Sequence, residues 1–230
     1  MTTDTDLAML AGPAGSVVTG ELGVFDHALS GARCLLRAVD GRRTHLPVSR
    51  WHGTSDDAAD AAFDAAVVRH CHGPTVDLGC GPGRLVDALT TRGVTALGVD
   101  ESHTAVATAR IRGIPVLQRD ILGRLPCEGR WAHALLIDGN IGIGGDPDRL
   151  LGRVGALLGP GGSLLAEIDP HISGHTVEVV RIESETHTGP WFQWAQVGIA
   201  GLRELLPRHG FDVAVTTEIG DRLLVEVVRR

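Results

Sequence analysis

The residues best suited to chemistry are three carboxylates placed at the ends of short apolar runs. Asp77 lies in the run that leads into Gly79, Asp100 ends a second run, and Asp120 follows a third. Carboxylates accept hydrogen bonds from hydroxyl and amino groups and attract cations. If the three runs are parallel strands of one sheet, their carboxyl ends line a single crevice. The spacing therefore predicts one ligand site built from all three acids.

The stretch from Gly79 to Gly83 carries glycine at every second position. Glycines spaced in this way let the backbone turn tightly and approach a ligand with no side chain between them. A dinucleotide-binding turn needs its third glycine three residues after the second, and Arg84 occupies that position here. The upstream Asp77 also suits a cationic ligand better than a pyrophosphate. The spacing disfavours nicotinamide and flavin cofactors, and a tight turn without a ligand is the structural alternative.

Asp100 lies 21 residues after Gly79, where a carboxylate can accept two hydrogen bonds from ribose hydroxyls. Asp120 can accept from an adenine amino group, while the backbone of Ile121 meets the edge of the ring. Considered singly, Asp100 could be a helix-start residue beside Ser102, and Asp120 a turn residue. Their joint placement at successive strand ends favours ligand binding.

The elements that must position these acids alternate along the chain. Strands are predicted at residues 75–78, 96–99, 116–118, 134–137 and 163–168, with helices at 84–91, 102–112, 147–158 and 199–208. Ser55 is predicted to cap a helix before the first strand. Two last strands, at 212–217 and 223–228, would meet in a hairpin. This alternation predicts an α/β fold with a doubly wound, mostly parallel sheet and an antiparallel strand near the C-terminus.

Two stretches fall outside that alternation. Residues 1–54 are expected to form an N-terminal cap segment before a main domain at 55–230. Residues 170–197 interrupt the connection after the fifth strand and hold two of the four tryptophans, which predicts a lid over the ligand crevice. Trp191 and Trp194 are expected to wall a substrate pocket, with packing of the lid to the sheet as the alternative.

These residues resemble the class I S-adenosylmethionine-dependent methyltransferases, and more loosely the actinobacterial enzymes that methylate small molecules. The resemblance covers about residues 55–230 and is most specific at residues 76–83 with Asp100 and Asp120. It implies a seven-stranded Rossmann-like sheet and S-adenosyl-L-methionine as the cofactor, with S-adenosyl-L-homocysteine as product. The implied cofactor-binding residues are Arg50, Asp77, Gly79, Cys80, Gly81, Asp100, Glu101, Asp120, Ile121, Asp138 and Gly139.

The fourth strand should end at the reacting atoms, at Asp138-Gly139-Asn140. Asp138 would face the transferred methyl group and the acceptor, and Asn140 would either orient the acceptor or stabilise a turn. His171 in the lid is a candidate general base, with a surface histidine as the alternative. The loop departs from the Asn-Pro-Pro-Tyr type that methylates planar amino groups, which puts methylation of nucleobases or amides in doubt.

A metal site is the weaker interpretation of the acids at this edge. Asp138, Glu167 and Asp169 could supply oxygen ligands, but a solvated crevice edge is the expected arrangement, so no metal is predicted. The favoured function is methyl transfer to a small-molecule acceptor by direct displacement. The alternatives are a protein that binds the cofactor without methyl transfer and, less favoured, a nucleotide-dependent oxidoreductase.

The charge and composition of the chain limit the classes of partner that are expected. The 230 residues carry a formal net charge of −7, which argues against nucleic acid or anionic membrane as a partner. No apolar stretch reaches membrane-spanning length, and no secretory signal is expected at residues 1–10. The four cysteines are scattered without a C-x-x-C pair, which fits a reducing cytoplasm.

Overall fold

The computed structural model describes residues 23–230, which contain eleven strands and seven α-helices. The strands are β1 (Leu35–Ala38), β2 (Arg43–His45), β3 (Thr75–Leu78), β4 (Ala96–Asp100), β5 (Val116–Gln118), β6 (Trp131–Leu136), β7 (Leu158–Ile168), β8 (His175–Glu183), β9 (Phe192–Val197), β10 (Phe211–Ile219) and β11 (Arg222–Arg229). The helices are α1 (Asp26–Leu29), α2 (Val48–Trp51), α3 (Ala58–His70), α4 (Arg84–Thr91), α5 (His103–Ile111), α6 (Pro147–Leu157) and α7 (Ile199–Leu205). Two 3₁₀ segments, Asn140–Gly145 and Leu206–His209, precede α6 and follow α7.

The main sheet has seven strands in the order β10-β11-β7-β6-β3-β4-β5. The pairs among β3 to β7 are parallel, and β11 runs antiparallel to both β7 and β10. The predicted seven-stranded, mostly parallel sheet is therefore confirmed. Parallel strands are covered on both faces, and β6 shows this directly, because Leu135 and Leu136 are fully buried in two different apolar clusters.

Local capping residues fix the helices around this sheet. Ser102 accepts a hydrogen bond from the Ala105 N–H and caps α5, as predicted. The prediction for α3 is wrong by two residues, because Asp57 rather than Ser55 accepts from the helix N-terminus. The Ser55 hydroxyl instead donates to the carboxylate of Asp60 inside the helix.

The predicted cap and the predicted lid form one structure. Strands β1, β2, β8 and β9 make a four-stranded antiparallel sheet in the order β2-β1-β8-β9. Leu35 of β1 lies opposite Glu183 of β8, so segments far apart in sequence pair directly. The described part of the cap is therefore not a separate segment from the lid, and residues 1–22 of the predicted cap lie outside the described residues.

None of the helices within residues 23–230 has the length and apolar character needed to cross a bilayer.

Candidate active site

The glycine loop after β3 has the geometry that its sequence requires. Gly79, Gly81 and Gly83 have φ values of 77°, 54° and 87°, a region that side chains rarely tolerate. A Cβ at Gly79 would lie 2.7 Å from Nδ2 of Asn140, so no other residue fits there without a shift. A Cβ at Gly81 would meet only Leu29 Cδ2, at 3.9 Å. At Gly81 the backbone faces open space beneath α1.

Asp100 joins the ends of β3 and β4. Its Oδ2 accepts from the Gly81 N–H and its Oδ1 from the Ser102 N–H, each at 2.8 Å. Burial raises the pKa of Asp100, and these two N–H donors offset part of that rise. A carboxylate has about four lone-pair sites, so each oxygen can accept one further hydrogen bond.

More carboxylates surround Asp100. Asp26 of α1 accepts from the Ser102 hydroxyl and from the Thr104 N–H, which brings the N-terminal segment over the crevice. Burial, followed by the charges of Asp120, Asp100 and Asp26, raises the pKa of Glu101. These acids therefore lie close enough to repel one another, which is the electrostatic setting for a cationic ligand.

Asp77 is buried within β3. Burial raises the pKa of Asp77 to about 7; Arg84 acts against that rise, while Asp138, Asp100 and Asp64 add to it. None of the hydrogen bonds among residues 23–230 reaches its carboxylate. A buried acid with no donor among these residues is costly in its charged form, which favours a proton on Asp77 or a further cation beside it.

Asp120 and Ile121 occupy the turn after β5, as predicted. The Asp120 carboxylate accepts from the Leu122 N–H at 2.8 Å, which is the arrangement of the turn alternative. Ile121 is buried, and its N–H takes part in no hydrogen bond within the described residues. The backbone edge that the adenine interpretation requires is therefore free of protein partners there.

The loop after β6 is held in an unusual conformation. Asp138 and Gly139 have φ values of 57° and 81°, and the Asn140 N–H donates to the Ile137 carbonyl at 3.1 Å. Two successive left-handed residues closed in this way form a type I′ turn, for which Asp-Gly is a preferred pair. Asn140 Nδ2 donates to the carbonyls of Leu78 and Gly79, at 3.0 and 2.8 Å. Its contacts are those of the turn-stabilising alternative, and they tie this loop to the glycine loop.

Asp138 is enclosed by two arginines. Its Oδ2 accepts from Arg84, and its Oδ1 accepts from Nη2 of Arg222 at 2.9 Å. Arg222, on β11, also binds both carboxylate oxygens of Glu167 at 2.7 Å. Arg222 could not be predicted from the sequence, because no local pattern connects β11 to the ends of β6 and β7. A carboxylate with two guanidinium partners anchors the loop.

The same contacts bear on the metal alternative. Arg222 occupies Asp138 and Glu167, two of the three acids of that alternative. Across residues 23–230, no group of three or more His, Cys, Asp and Glu side chains is arranged to hold a metal ion.

Other predicted residues lie around the crevice. Arg50 Nε lies 2.6 Å from Asp60 Oδ1, yet its buried N–H points at no acceptor within the described residues. The Cys80 side chain packs beneath β4, where a Cβ at Gly98 would lie 2.5 Å from its Sγ, and burial raises the pKa of this thiol well above its usual range. Only the backbone of Cys80 is left to meet a ligand.

The candidate base His171, Trp194 and Trp191 lie in three different surroundings. His171 is exposed in the turn after β7, where its backbone N–H donates to the Asp169 carboxylate at 2.8 Å. Trp194 lies beside the loop after β6, with Nε1 2.7 Å from the position of a Cβ at Gly142. Trp191 lies apart from it, beneath the Arg181 guanidinium at 4.6 Å. Substrate or catalytic roles for these side chains stay predictions.

Part of the chain is similar in sequence to known proteins. Residues 59–127 match the family described as MetW, methionine biosynthesis protein MetW. Two curated relatives are both named trans-aconitate 2-methyltransferase. The one from Delftia acidovorans is 34% identical over 127 residues, which are 53% of this chain and 46% of the relative. The one from Paracidovorax citrulli is 33% identical over 97 residues, or 40% and 37% of the two chains. The chain thus spans less than half the length of these relatives.

Solved structures match over more of the chain. A SAM-dependent methyltransferase from Bacteroides fragilis, in complex with S-adenosyl-L-homocysteine, superposes with a TM-score of 0.72 and 16% identity, covering 90% of this chain and 93% of that one. The 1,6-didemethyltoxoflavin-N1-methyltransferase of Burkholderia thailandensis superposes with a TM-score of 0.58 and 19% identity, covering 79% and 84%. The described residues therefore have the fold of class I S-adenosylmethionine-dependent methyltransferases, as the sequence predicted.

Proposed function

We propose that this protein binds S-adenosyl-L-methionine and transfers its methyl group to a small-molecule acceptor by direct displacement. The observation that carries the proposal is the convergence of Asp77, Gly81 and Asp100 at the carboxyl ends of β3 and β4. Asp77 is a buried acid without a donor among the described residues, which suits a ligand ammonium group. The open backbone at Gly81 suits a close approach of the ligand, and the lone pairs of Asp100 that accept no protein hydrogen bond suit a ribose diol. The methyltransferases of similar fold and the two curated relatives support this interpretation.

The described residues fit this cofactor. Asp77 has no donor among the described residues, so a ligand ammonium can add its charge to that of Arg84. Asp100 can accept from two ribose hydroxyls while it keeps the Gly81 and Ser102 N–H groups. The free Ile121 N–H suits an adenine edge, with Asp120 next to it. We assign the Arg50 guanidinium, which also pairs with Asp60, to a carboxylate oxygen of the methionine part. We further assign Gly79, Cys80, Glu101 and Gly139 to this site through their backbones.

The bound cofactor supplies a methyl group that its sulfonium makes electrophilic. The protein must then hold acceptor, methyl carbon and sulfur in line, and such positioning lowers the barrier without a covalent intermediate. The turn at Asp138 is suited to this task because Arg84 and Arg222 hold its carboxylate, and the Asn140 side chain ties the turn to the glycine loop. We therefore assign Asp138 and Asn140 to shaping the reaction site, and His171 to taking a proton where the acceptor has to lose one.

Calorimetry with S-adenosyl-L-homocysteine tests the cofactor assignment. We expect this ligand to bind and to raise the melting temperature, while NAD and NADP do neither. In Asp100→Ala, loss of two hydrogen bonds should weaken binding by about 1–3 kcal/mol, or about 5–150-fold. Asp100→Asn should lose less, because one acceptor oxygen remains. Tighter binding of NAD, or an unchanged affinity in a folded Asp100→Ala protein, would overturn the proposal.

A matched control is Asp212→Ala. Asp212 is an exposed acid of β10 that pairs with Arg230, away from the glycine loop, so this change should leave the affinity for S-adenosyl-L-homocysteine as it is. Methyl transfer itself is then tested with S-adenosyl-L-methionine labelled in its methyl group. Transfer of label to a small molecule separates an enzyme from a protein that only binds the cofactor.

A further inference from the structure

Four aromatic side chains meet where the N-terminal segment joins β9. The Phe25 ring lies 5.9 Å from Trp51, 5.7 Å from Phe192 and 5.6 Å from Trp194, and Phe192 lies 6.3 Å from Trp194, centroid to centroid. We call these four residues the aromatic cluster. It holds half of the eight Trp and Phe residues of a chain that has no tyrosine. Such a concentration in one place needs a physical reason.

Packing accounts for part of this concentration, because Phe25, Trp51 and Phe192 lie against a small buried apolar cluster of Ala28, Cys34 and Ile182. The aromatic residues of the core, Phe63, Phe211 and Trp131, are buried to 5% exposure or less. Each member of the aromatic cluster is only partly buried, so every one of these side chains keeps some surface toward solvent. Partly exposed rings that contact one another at angles are a common lining of small-molecule sites.

Contacts on three sides place the aromatic cluster beside the proposed cofactor crevice. Leu29, four residues after Phe25, approaches Gly81 of the glycine loop. Gly53, two residues after Trp51, lies over Arg84, because a Cβ at Gly53 would be 3.4 Å from Cγ of that arginine. Trp194 itself lies against Gly142 in the loop after β6. The segments that carry the aromatic cluster therefore contact the glycine loop, Arg84 and the loop after β6, which border the proposed cofactor crevice.

We propose that the aromatic cluster is the acceptor-binding site and that it takes a planar aromatic acceptor. This inference rests on the proposed function, because it names the substrate class of the same crevice. A flat ring can stack on the solvent-facing surfaces of these rings, because aromatic pairs prefer offset or edge-to-face contacts with centroids 4.5–7 Å apart. The Trp194 Nε1–H takes part in no hydrogen bond within the described residues, so it can donate to a polar substituent of that acceptor.

Trp191 offers a matched control on the same hairpin. It is adjacent to Phe192 in sequence, yet its ring stacks under Arg181 and joins none of the ring pairs of the aromatic cluster. A loss of indole surface at Trp191 should not affect the acceptor site. The structure thus separates two tryptophans that the sequence could only treat together.

The test measures binding of 2-naphthoate to protein saturated with S-adenosyl-L-homocysteine, by calorimetry. Decahydronaphthalene-2-carboxylate is the comparison ligand, because it has the same charge and a similar size but no flat ring. We expect 2-naphthoate to bind at least about tenfold more tightly than the saturated compound. Phe25→Ala and Trp194→Ala should each weaken 2-naphthoate binding about tenfold, and Trp194→Phe should weaken it less. Trp191→Ala should leave it unchanged.

The readouts keep the two proposals distinguishable. All variants should bind S-adenosyl-L-homocysteine with their original affinity, and a melting curve for each confirms that it is folded. If this ligand binds but 2-naphthoate does not, or binds no better than the saturated compound, the acceptor site is wrong and the proposed function stands. Equal losses in Trp191→Ala and Trp194→Ala would also overturn it. If S-adenosyl-L-homocysteine fails to bind, the proposed function itself is wrong.

Discussion

Replacing Arg222 by methionine should destabilise the fold strongly. The guanidinium is 4% exposed, binds both oxygens of Glu167 at 2.7 Å and reaches Asp138 at 2.9 Å. Methionine fills a similar volume but supplies no charge, so two largely buried carboxylates lose a cation. Breaking a buried ion pair from one side costs about 3–5 kcal/mol. For a chain of this size, that corresponds to a fall in melting temperature of about 6–20 °C.

Chemical and thermal unfolding at neutral pH measure this loss. Arg230→Met is the control, because Arg230 and its partner Asp212 are 60% and 59% exposed, and solvent screens such surface pairs. Adding Glu167→Gln to Arg222→Met should recover part of the loss, since a neutral amide then replaces an unpaired carboxylate. If Arg222→Met unfolds within about 1 kcal/mol of the unmodified protein, the reasoning about this network is wrong.

Two further predictions concern the floor of the crevice. Asp77 has a pKa of about 7 in the folded protein against an ordinary value of 3.8, so the folded state binds the extra proton between these values. The free energy of unfolding should therefore fall as pH rises from about 4 to about 7, and Asp77→Asn should flatten that part of a pH series of unfolding curves; an unchanged slope would exclude Asp77 as its source. Gly79→Ala should weaken binding of S-adenosyl-L-homocysteine in calorimetry, because its Cβ would meet Asn140 in addition to the strain of a φ of 77°. Gly113→Ala, with a φ of 73° and open space around it, is the control and should lower stability by about 1 kcal/mol without changing that affinity.

The parts of the site that could be predicted from the sequence are those formed by short stretches of chain. The glycine loop, Asp77 and Asp100 depend on residues close together in sequence, so strand periodicity and turn chemistry are enough to bring them to one edge. The helix N-caps show that local sequence does not always settle the exact capping residue. The prediction for Ser102 is confirmed, and the one for Ser55 is wrong. Both are serines before a helix, and only the competing Asp57 distinguishes them.

The other features of the fold and site depend on contacts between residues far apart in sequence, and sequence patterns do not predict such contacts. Leu35 of β1 pairs with Glu183 of β8, and the sequence of neither strand predicts which strand it pairs with. Arg222 could not be assigned to Asp138 for the same reason. In the aromatic cluster, Phe25 from before α1 contacts Trp194 of β9. The sequence instead suggested that Trp194 acts together with its neighbour Trp191.

The position of Arg222 in the chain has a consequence for biosynthesis. Asp138 and Glu167 precede it by 84 and 55 residues, so a ribosome makes both acids several seconds before their cation, at about 5–20 residues per second. During that interval β7 also lacks β11, its neighbour on that side, and presents an apolar strand with an open edge. Open edges of this kind invite pairing with other nascent chains. Slow translation between β7 and β11 should therefore lower the yield of folded protein without any change in its final stability.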